Sequence, residues 1–322
     1  MTQRIGIAAA LAAAMLWAGG AGAQVVTIAT GAPGSLAHNS GQAVAKVAND
    51  AGIVARTQPL VGYLPLLEAG EIDFGFSNLV EAEFAMTGTG NYDRAHPSIR
   101  LVGAMFPLTT GIMAPCDLGL ESVSDLKGRP ELRIAAEYTS STIIPFYIAG
   151  ALATAGLGYD DFTRVPVASF VAGIEALGDG LVDIALVSLN AGAGQQAAVK
   201  LKDRGGLCYI SLENSPEATA AFKEYLPAGR IVSLKQNPSL NGLQQRGANL
   251  IRIDWMMLTH AGVGEDLVYR ITRAVAENRE ALKAAFAPFG NLATADMAPA
   301  SRVQYHPGAL RYYAEAGIRV GE

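Results

Sequence analysis

The sequence predicts an α/β protein built from two lobes of the same topology. Stretches typical of β-strands alternate with stretches typical of helices, a pattern that predicts a parallel α/β sheet. One segment occurs twice: residues 67–74 and 177–184 both read L-x-x-G-x-[IV]-D followed by an apolar residue, and their aspartates lie 110 positions apart. The chain has 322 residues, enough for two lobes of ~100–200 residues that each bury a core.

The first half begins with a predicted strand over residues 25–30, which are mostly apolar and β-branched. Gly31-Ala32-Pro33-Gly34 ends this strand, and a helix is predicted over 41–51. The remaining predicted elements of this half are a strand over 53–57, a helix that ends at Gly70, and strands over 74–76 and 99–105.

The second half repeats this order of elements. A strand is predicted over 132–136, and the polar residues 137–142 lead into a helix over 143–155. A strand over 164–167, a helix over 171–177 and a strand over 184–187 follow. Ser35 and Thr142, each at the predicted start of the first helix of its half, lie 107 positions apart. This offset is close to that of the repeated aspartates, which favours two lobes of like topology.

The remainder of the chain is less regular at first and helical at its end. Residues 227–247 contain scattered proline, glycine and asparagine and are predicted to be irregular. A β-like run covers 251–258, and a long amphipathic helix is predicted over 265–285.

The first 23 residues have the features of a secretory signal peptide. Arg4 precedes an apolar run over residues 5–16, and Ala21-Gly22-Ala23 is an A-x-A cleavage signal. The alternative, a buried N-terminal helix, is disfavoured because the three features occur in the expected order. We therefore expect cleavage after Ala23 and a periplasmic protein.

The composition excludes several classes of function. The formal charge of −5 and the lack of clustered basic residues argue against nucleic-acid binding. The hydrolase motif G-x-S-x-G, the phosphate-binding loop, the dinucleotide fingerprint and HExxH do not occur. The four histidines are scattered, without metal-ligand spacing. We expect no metal, no cofactor and no enzymatic activity.

Two cysteines, Cys116 and Cys208, are present. In an oxidising compartment they can form a disulfide, and the alternative is a pair of small buried thiols. The sequence alone leaves this choice open.

The candidate binding residues lie where predicted strands end and helices begin. Ligands of open α/β sheets bind at the carboxyl ends of strands, and helix N-termini favour anions. The alternative is ordinary helix capping and turn chemistry. The residues predicted on this basis are Gly34, Ser35, Leu36, His38, Asn78, Ser140, Ser141, Thr142, Ser188 and Asn190.

Several of these segments resemble a known family, the TAXI class of solute receptors that serve TRAP transporters. These receptors are periplasmic binding proteins of the second structural type. The resemblance is carried by I-A-T-G-x-x-G over 28–34, by L-x-x-G-x-x-D over 67–73, by S-D-L-K-G over 124–128, and most specifically by H-P-G-A-L-R-Y-Y-A-E-A-G over 306–317. Thr57 stands where the family has a threonine, and the resemblance places it in the site.

The chain departs from the family at three loops. Ala37-His38 stand in place of paired tyrosines, Leu60-Val61-Gly62-Tyr63 in place of a glycine–serine pair, and residues 139–142 in place of a G-S-G-like loop. Relatives are thought to bind glutamate or related dicarboxylates, and these departures indicate a ligand with a different body. Tyr63 and Tyr138 are interpreted either as aromatic walls of the cleft or as ordinary core and surface residues.

The resemblance implies two α/β lobes joined by crossover strands, one near 109–115 and a return near 208–212 or 251–258. The implied boundaries are 24–112 for the first part of lobe I, 113–235 for lobe II, and 236–322 for the return to lobe I. Because both cysteines fall near proposed crossovers, a disulfide is expected to pin the hinge region.

The implied function is that of a monomeric receptor that captures a small organic anion in the interlobe cleft. It then delivers this ligand to the membrane subunit of a TRAP transporter. The alternatives are a ligand-sensing domain for a membrane signalling partner, and an enzyme built on the same fold.

Overall fold

The computed structural model describes residues 25–31, 33–189 and 191–321, so the predicted signal peptide lies outside the described residues. The strands are β1 (Val26–Ala29), β2 (Ala55–Gln58), β3 (Phe74–Asn78), β4 (Ile99–Pro115), β5 (Arg133–Glu137), β6 (Thr163–Val167), β7 (Ala185–Ser188), β8 (Leu207–Tyr209), β9 (Arg230–Leu234) and β10 (Ala248–His260). The α-helices are α1 (Leu36–Asp50), α2 (Leu64–Glu68), α3 (Leu79–Thr87), α4 (Ile144–Ala153), α5 (Phe170–Gly178), α6 (Gly192–Lys200), α7 (Pro216–Tyr225), α8 (Glu265–Glu277), α9 (Arg279–Ala285) and α10 (Pro307–Ala316).

The two lobes contain the same arrangement of strands. In the first lobe β1 lies between β2 and β3 and is parallel to both, and β3 is antiparallel to β10. In the second lobe β5 is parallel to β6, and a parallel bridge between Ile134 and Ile184 links β5 to the segment that enters β7. β7 is antiparallel to β4. The predicted repeat of topology is therefore present in the fold.

The lobes are joined by the two longest strands, β4 and β10. Residues 99–110 of β4 pair with residues 251–260 of β10, and the end of β4 continues into pairs with β7 and β8. The first residues of β10 pair with β9. The predicted crossovers near 109–115 and 251–258 lie in these two strands, whereas 208–212 contains only the end of short β8.

The sheet is mixed: the pairs of β1 with β2 and β3 and of β5 with β6 are parallel, as predicted, whereas the crossover strands are antiparallel to their neighbours. Strand and helix alternation predicts the parallel pairs within each lobe. It does not reveal that the crossover strands run antiparallel to their neighbours, because that direction depends on the return of the chain between lobes.

Several elements differ from the sequence prediction, and three of these differences show the reason. Helix α1 begins at Leu36 instead of residue 41, because Ser35 caps it. β9 lies inside the segment predicted to be irregular, where it gains its hydrogen bonds from β10. The predicted helix over 265–285 is divided at Asn278 into α8 and α9.

The repeated L-x-x-G-x-[IV]-D segment forms the same turn in each lobe. Gly70 and Gly180 follow helices α2 and α5 with φ of 73° and 71°, a conformation that favours glycine. The backbone N–H of the residue after each glycine then donates to a carbonyl of the helix. Glu71 N donates to Leu66 O at 3.0 Å, and Leu181 N donates to Ala176 O at 2.9 Å. The turn feeds the chain into the third strand of its lobe.

Cys116 and Cys208 form a disulfide. Cys116 follows β4 directly, and Cys208 lies in β8 opposite Ala114 of β4. The bond therefore lies beside a crossover strand, but it links two segments of the second lobe and encloses β5, β6 and β7. It closes the base of that lobe and does not connect one lobe to the other.

None of the helices in the described part of the chain is long and apolar enough to cross a membrane. The lobe boundaries proposed from the sequence, at 112/113 and 235/236, remain predictions.

Candidate functional site

The start of helix α1 is the first element of the candidate site. Ser35 Oγ accepts a hydrogen bond from the His38 backbone N–H at 3.1 Å and donates to Thr30 O at 3.3 Å. Gly34, with a φ of 79°, allows the chain to turn sharply into the helix. His38 Nδ1 is buried and has no partner among the described residues. Leu36 begins the helix, so the predicted residues of this loop lie together around one helix N-terminus.

The junction between β3 and α3 is the second element, and it contains a carboxylate that the sequence analysis missed. Asn78 caps α3, since its Oδ1 accepts from the Glu81 N–H at 2.9 Å. Glu81 Oε2 accepts from Ser77 Oγ at 2.8 Å and from Asn78 Nδ2 at 3.3 Å. Glu81 Oε1 accepts from the Tyr92 hydroxyl at 3.2 Å. The Asn91 side chain also lies near this carboxylate and lowers its pKa.

Burial raises the pKa of Glu81 above its ordinary value of 4.5, although the hydrogen bonds from Ser77, Tyr92 and Asn91 oppose the shift. Among the described residues the carboxylate forms no ion pair; its neighbours are neutral donors. Removal of a carboxylate from water costs free energy unless hydrogen bonds or a cation compensate it, and carboxylates of this kind are often found at functional sites.

The turn between β5 and α4 is the third element. Ser140 donates to Ala168 O from both its N–H, at 2.9 Å, and its Oγ, at 2.7 Å. Ser141 N donates to Tyr138 O at 2.7 Å. The N-cap of α4 is Ile143, without a side-chain hydrogen bond, so these hydroxyls do not cap this helix as the sequence suggested.

Thr142 instead reaches the other lobe. Its Oγ1 accepts a hydrogen bond of 3.0 Å from Asn91 Nδ2, which lies in the loop after α3. Beside this contact the rings of Phe84, in α3, and Phe146, in α4, meet edge to face with centroids 5.2 Å apart. The two lobes therefore touch directly next to Glu81, and the described conformation is closed at this point.

The two tyrosines proposed as possible cleft walls lie in the core of this conformation. Tyr63 is 7% exposed, and its hydroxyl donates to Phe76 O and accepts from Phe76 N at 2.9 Å. Tyr138 is fully buried, close to Gly173, and burial raises its pKa. Glu137 and Tyr138 both have positive φ, of 66° and 48°, which is uncommon outside glycine and marks strain at the end of β5.

The remaining predicted residues are more dispersed. Thr57 lies in β2 and pairs with Ile28 of β1. Together with Lys46 and Arg56 it lines a surface concavity of about 490 Å³. Ser188 ends β7 opposite Thr110, whose buried Oγ1 has no partner among the described residues. Asn190 lies outside the described residues. The structure thus groups the residues of the α1 start and brings Thr142 to the β3–α3 junction, while Thr57 lines the concavity beside α1.

Glu81, Asn91 and Tyr92 are the residues that sequence reasoning missed. One local signal was available, because Asn78-x-x-Glu81 has the spacing of a capping box at the start of an apolar helix. Nothing local indicated that Asn91 and Tyr92 return to the same carboxylate. In the described part of the chain, no group of three or more His, Cys, Asp or Glu side chains is placed to hold a metal ion.

The arrangement suits the binding of a small polar molecule better than catalysis. It offers helix N-termini, hydroxyls and a carboxylate at a contact between lobes. Helix N-termini attract anionic groups, and a carboxylate accepts from donor groups.

Two solved structures have a similar fold. PhnD1 from Prochlorococcus marinus, in complex with methylphosphonate, superposes with a TM-score of 0.52 at 13% identity, covering 92% of this chain and 99% of that one. MatC from Rhodopseudomonas palustris, with bound malate, gives a TM-score of 0.50 at 16% identity, covering 83% of this chain and 88% of that one. At such low identity these similarities establish the two-lobed fold alone.

The sequence family is established by a match over most of the chain. The model of the NMT1-like family matches residues 28–317, which includes both lobes, the crossover strands and helix α10. The chain belongs to the NMT1-like family.

Proposed function

We propose that this protein is an extracytoplasmic solute receptor of the TAXI type. It captures a small organic carboxylate in the cleft between its lobes and delivers it to the membrane subunit of a TRAP transporter. The cleavable N-terminus predicted from the sequence supports export to the periplasm.

One observation carries the proposal: the lobes meet where the carboxyl ends of their strands give way to helices. Asn91, after the β3–α3 unit, donates to Thr142, after β5. Carboxyl ends of strands are the usual binding edge of open α/β sheets. A ligand between these segments contacts both lobes at once, and such contacts stabilise the closed state because the open state lacks them.

The charge of the ligand is inferred from the helix starts. The first-turn N–H groups of α1, a helix of 15 residues, favour an anionic group, and Ser35 fixes the loop that leads to them. PhnD1 holds methylphosphonate and MatC holds malate, both small anions, and this supports an anion for the present cleft as well.

The test is a ligand screen by thermal shift, followed by calorimetry, with mono- and dicarboxylates, hydroxy and amino acids, and phosphonates. We expect at least one carboxylate to raise the melting temperature, and small-angle scattering to show a more compact protein when it is bound. Failure of every carboxylate would contradict the proposed ligand class.

Matched serine variants locate the site. Ser35 and Ser215 both cap helices, α1 and α7, by accepting from an N–H at 3.1 Å. Ser35→Ala and Ser215→Ala should each lower stability by about 1 kcal/mol. Only Ser35→Ala should weaken ligand binding, and equal affinity in both variants would show that the ligand does not bind at the start of α1.

Delivery is tested by ligand uptake into vesicles that contain the reconstituted TRAP membrane subunit, measured with and without this receptor.

A further inference from the structure

We propose that Glu81 and Asn91 form a subsite that recognises a hydrogen-bond donor, an amine or a hydroxyl, carried by the bound carboxylate. The inference rests on the proposed function, since it assumes that the ligand lies between the lobes. It makes the ligand a hydroxy or amino acid and excludes an unsubstituted carboxylic acid.

The first argument is the position of Glu81. Its carboxylate lies at the start of α3, next to the contact between Asn91 and Thr142 of the other lobe. Tyr147 of the second lobe is 2% exposed, and its pKa is raised first by burial and then by the negative charge of Glu81. Glu81 is therefore close to both lobes, where a bound ligand would lie.

The second argument is an unsatisfied acceptor. The Asn91 amide nitrogen donates to Thr142 Oγ1 of the other lobe at 3.0 Å, and the Asn91 side chain also lies close enough to Glu81 to lower the pKa of that carboxyl. With its nitrogen directed to Thr142, Asn91 Oδ1 is buried and has no donor among the described residues. Buried polar atoms are normally hydrogen-bonded, so an orphaned acceptor at a binding surface points to a missing donor.

The third argument is that capping does not require an acid at this position. Helices α5 and α7 are capped by Ser169 and Ser215, and both have alanine at the position that corresponds to Glu81, Ala172 and Ala218. Asn78 caps α3 in the same way. The donors that the carboxylate has among the described residues are all neutral, so an ammonium or hydroxyl group of the ligand would add a further hydrogen bond, which the ammonium group makes charge-assisted.

The experiment uses ligands that differ only in one substituent. Succinate, malate and aspartate share a four-carbon dicarboxylate skeleton and carry hydrogen, hydroxyl and ammonium at the same carbon; glutarate, 2-hydroxyglutarate and glutamate repeat the series with one more carbon. Wild-type protein should bind the substituted members at least about tenfold more tightly than the unsubstituted member of the same length. Within each series, tighter binding of the hydroxy acid would identify a hydroxyl donor, and tighter binding of the amino acid would identify an ammonium donor.

Two glutamates on α3, the half-buried Glu81 and the buried Glu83, provide the matched variants. Glu83, 6% exposed, accepts from Arg302 N at 3.2 Å; its charge acts on Lys223 of α7, but among the described residues it forms no hydrogen bond with Asn91 or Thr142. Glu81→Gln should lose about tenfold in affinity for the substituted ligands and leave the unsubstituted one unchanged, whereas Glu83→Gln should leave both unchanged. Asn91→Ala, in the loop after α3, should also bind the substituted ligands more weakly while its affinity for the unsubstituted ligand stays the same. This variant tests the subsite if Glu81→Gln does not fold.

The pH dependence gives an independent readout. A donor is best accepted by the ionised carboxylate, so affinity for substituted ligands should fall as pH decreases through the raised pKa of Glu81. This dependence should be absent in Glu81→Gln. Equal losses for substituted and unsubstituted ligands, or no loss in either variant, would overturn the subsite while leaving the receptor function intact. Absence of binding of any carboxylate to wild-type protein would overturn the proposed function and the subsite with it.

Discussion

Asp73 in the first lobe and Asp183 in the second occupy equivalent places, yet they bind different partners. Asp73 Oδ2 accepts from the backbone N and the Oγ1 of Thr27 in β1, at 2.7 and 2.8 Å. Asp183 accepts from the backbone N, Nε and Nη2 of Arg133 in β5, at 2.9, 3.0 and 2.8 Å. Each aspartate ties the entry of the third strand of its lobe to the first strand.

The difference shows that one local motif can hold two lobes together with different electrostatics. Burial alone would raise the pKa of Asp183, but the hydrogen bonds and charge of Arg133 outweigh it and hold the pKa below the ordinary 3.8. Thr27 supplies hydrogen bonds without charge. The second lobe is further distinguished by the disulfide at its base.

The largest effect is expected from removal of this disulfide. Its cysteines are 92 positions apart, so Cys116→Ser with Cys208→Ser should lower the free energy of unfolding by about 2–5 kcal/mol. Denaturant titration measures the loss, and wild-type protein under reducing conditions is the control. Hydrogen exchange should show lower protection in residues 117–207 than in β1–β3. Equal loss of protection in both lobes would show that they unfold as one unit.

Substitution of the two aspartates is expected to lower the free energy of unfolding by less than removal of the disulfide. Asp183→Ala and Asp73→Ala should each lower the free energy of unfolding at pH 7 by about 1–3 kcal/mol, with the larger loss for Asp183 because its hydrogen bonds are charge-assisted. Urea titrations measure both. Asp179→Ala is the control, since this exposed residue has only a surface ion pair with Lys200, worth about 0–1 kcal/mol.

The pH dependence sharpens the comparison. Because the pKa of Asp183 is lowered in the folded protein, its contribution is complete above the unfolded pKa and is lost as pH falls through the folded pKa. The difference between wild type and Asp183→Ala should therefore shrink in acid. A difference that stays constant down to pH 2 would show that charge is not the source of the stabilisation.

The smallest effect is expected at the two turn glycines. Alanine at Gly70 or Gly180 must adopt a φ near 70°, which costs about 1–2 kcal/mol. A Cβ at Gly70 would lie 3.3 Å from the His260 ring, whereas a Cβ at Gly180 would meet no atom within 4 Å. Thermal unfolding should therefore show a slightly larger loss for Gly70→Ala, and a larger loss for Gly180→Ala would contradict the equivalence of the turns.

Much of the fold followed from local patterns. The strands near 26–29, 55–58 and 133–137 and the repeated turn were all predicted, because apolar runs and turn glycines act within a few residues. β9 was missed, since its hydrogen bonds come from β10, a partner outside its own segment. Helix capping, the alternative interpretation of residues 140–142, does not hold, because the side chain of Ser140 bonds to Ala168 and that of Thr142 to the other lobe.

The sequence by itself indicated the two-lobed topology, through the repeat of its elements, and the helix–glycine–aspartate turn, because these patterns depend on neighbours along the chain. Only the tertiary structure decided that the crossover strands run antiparallel, that Cys116 meets Cys208, and that Asn91 lies between Glu81 and Thr142. These contacts join residues far apart in the chain, and their energies depend on burial and on distances that appear only when the lobes pack together.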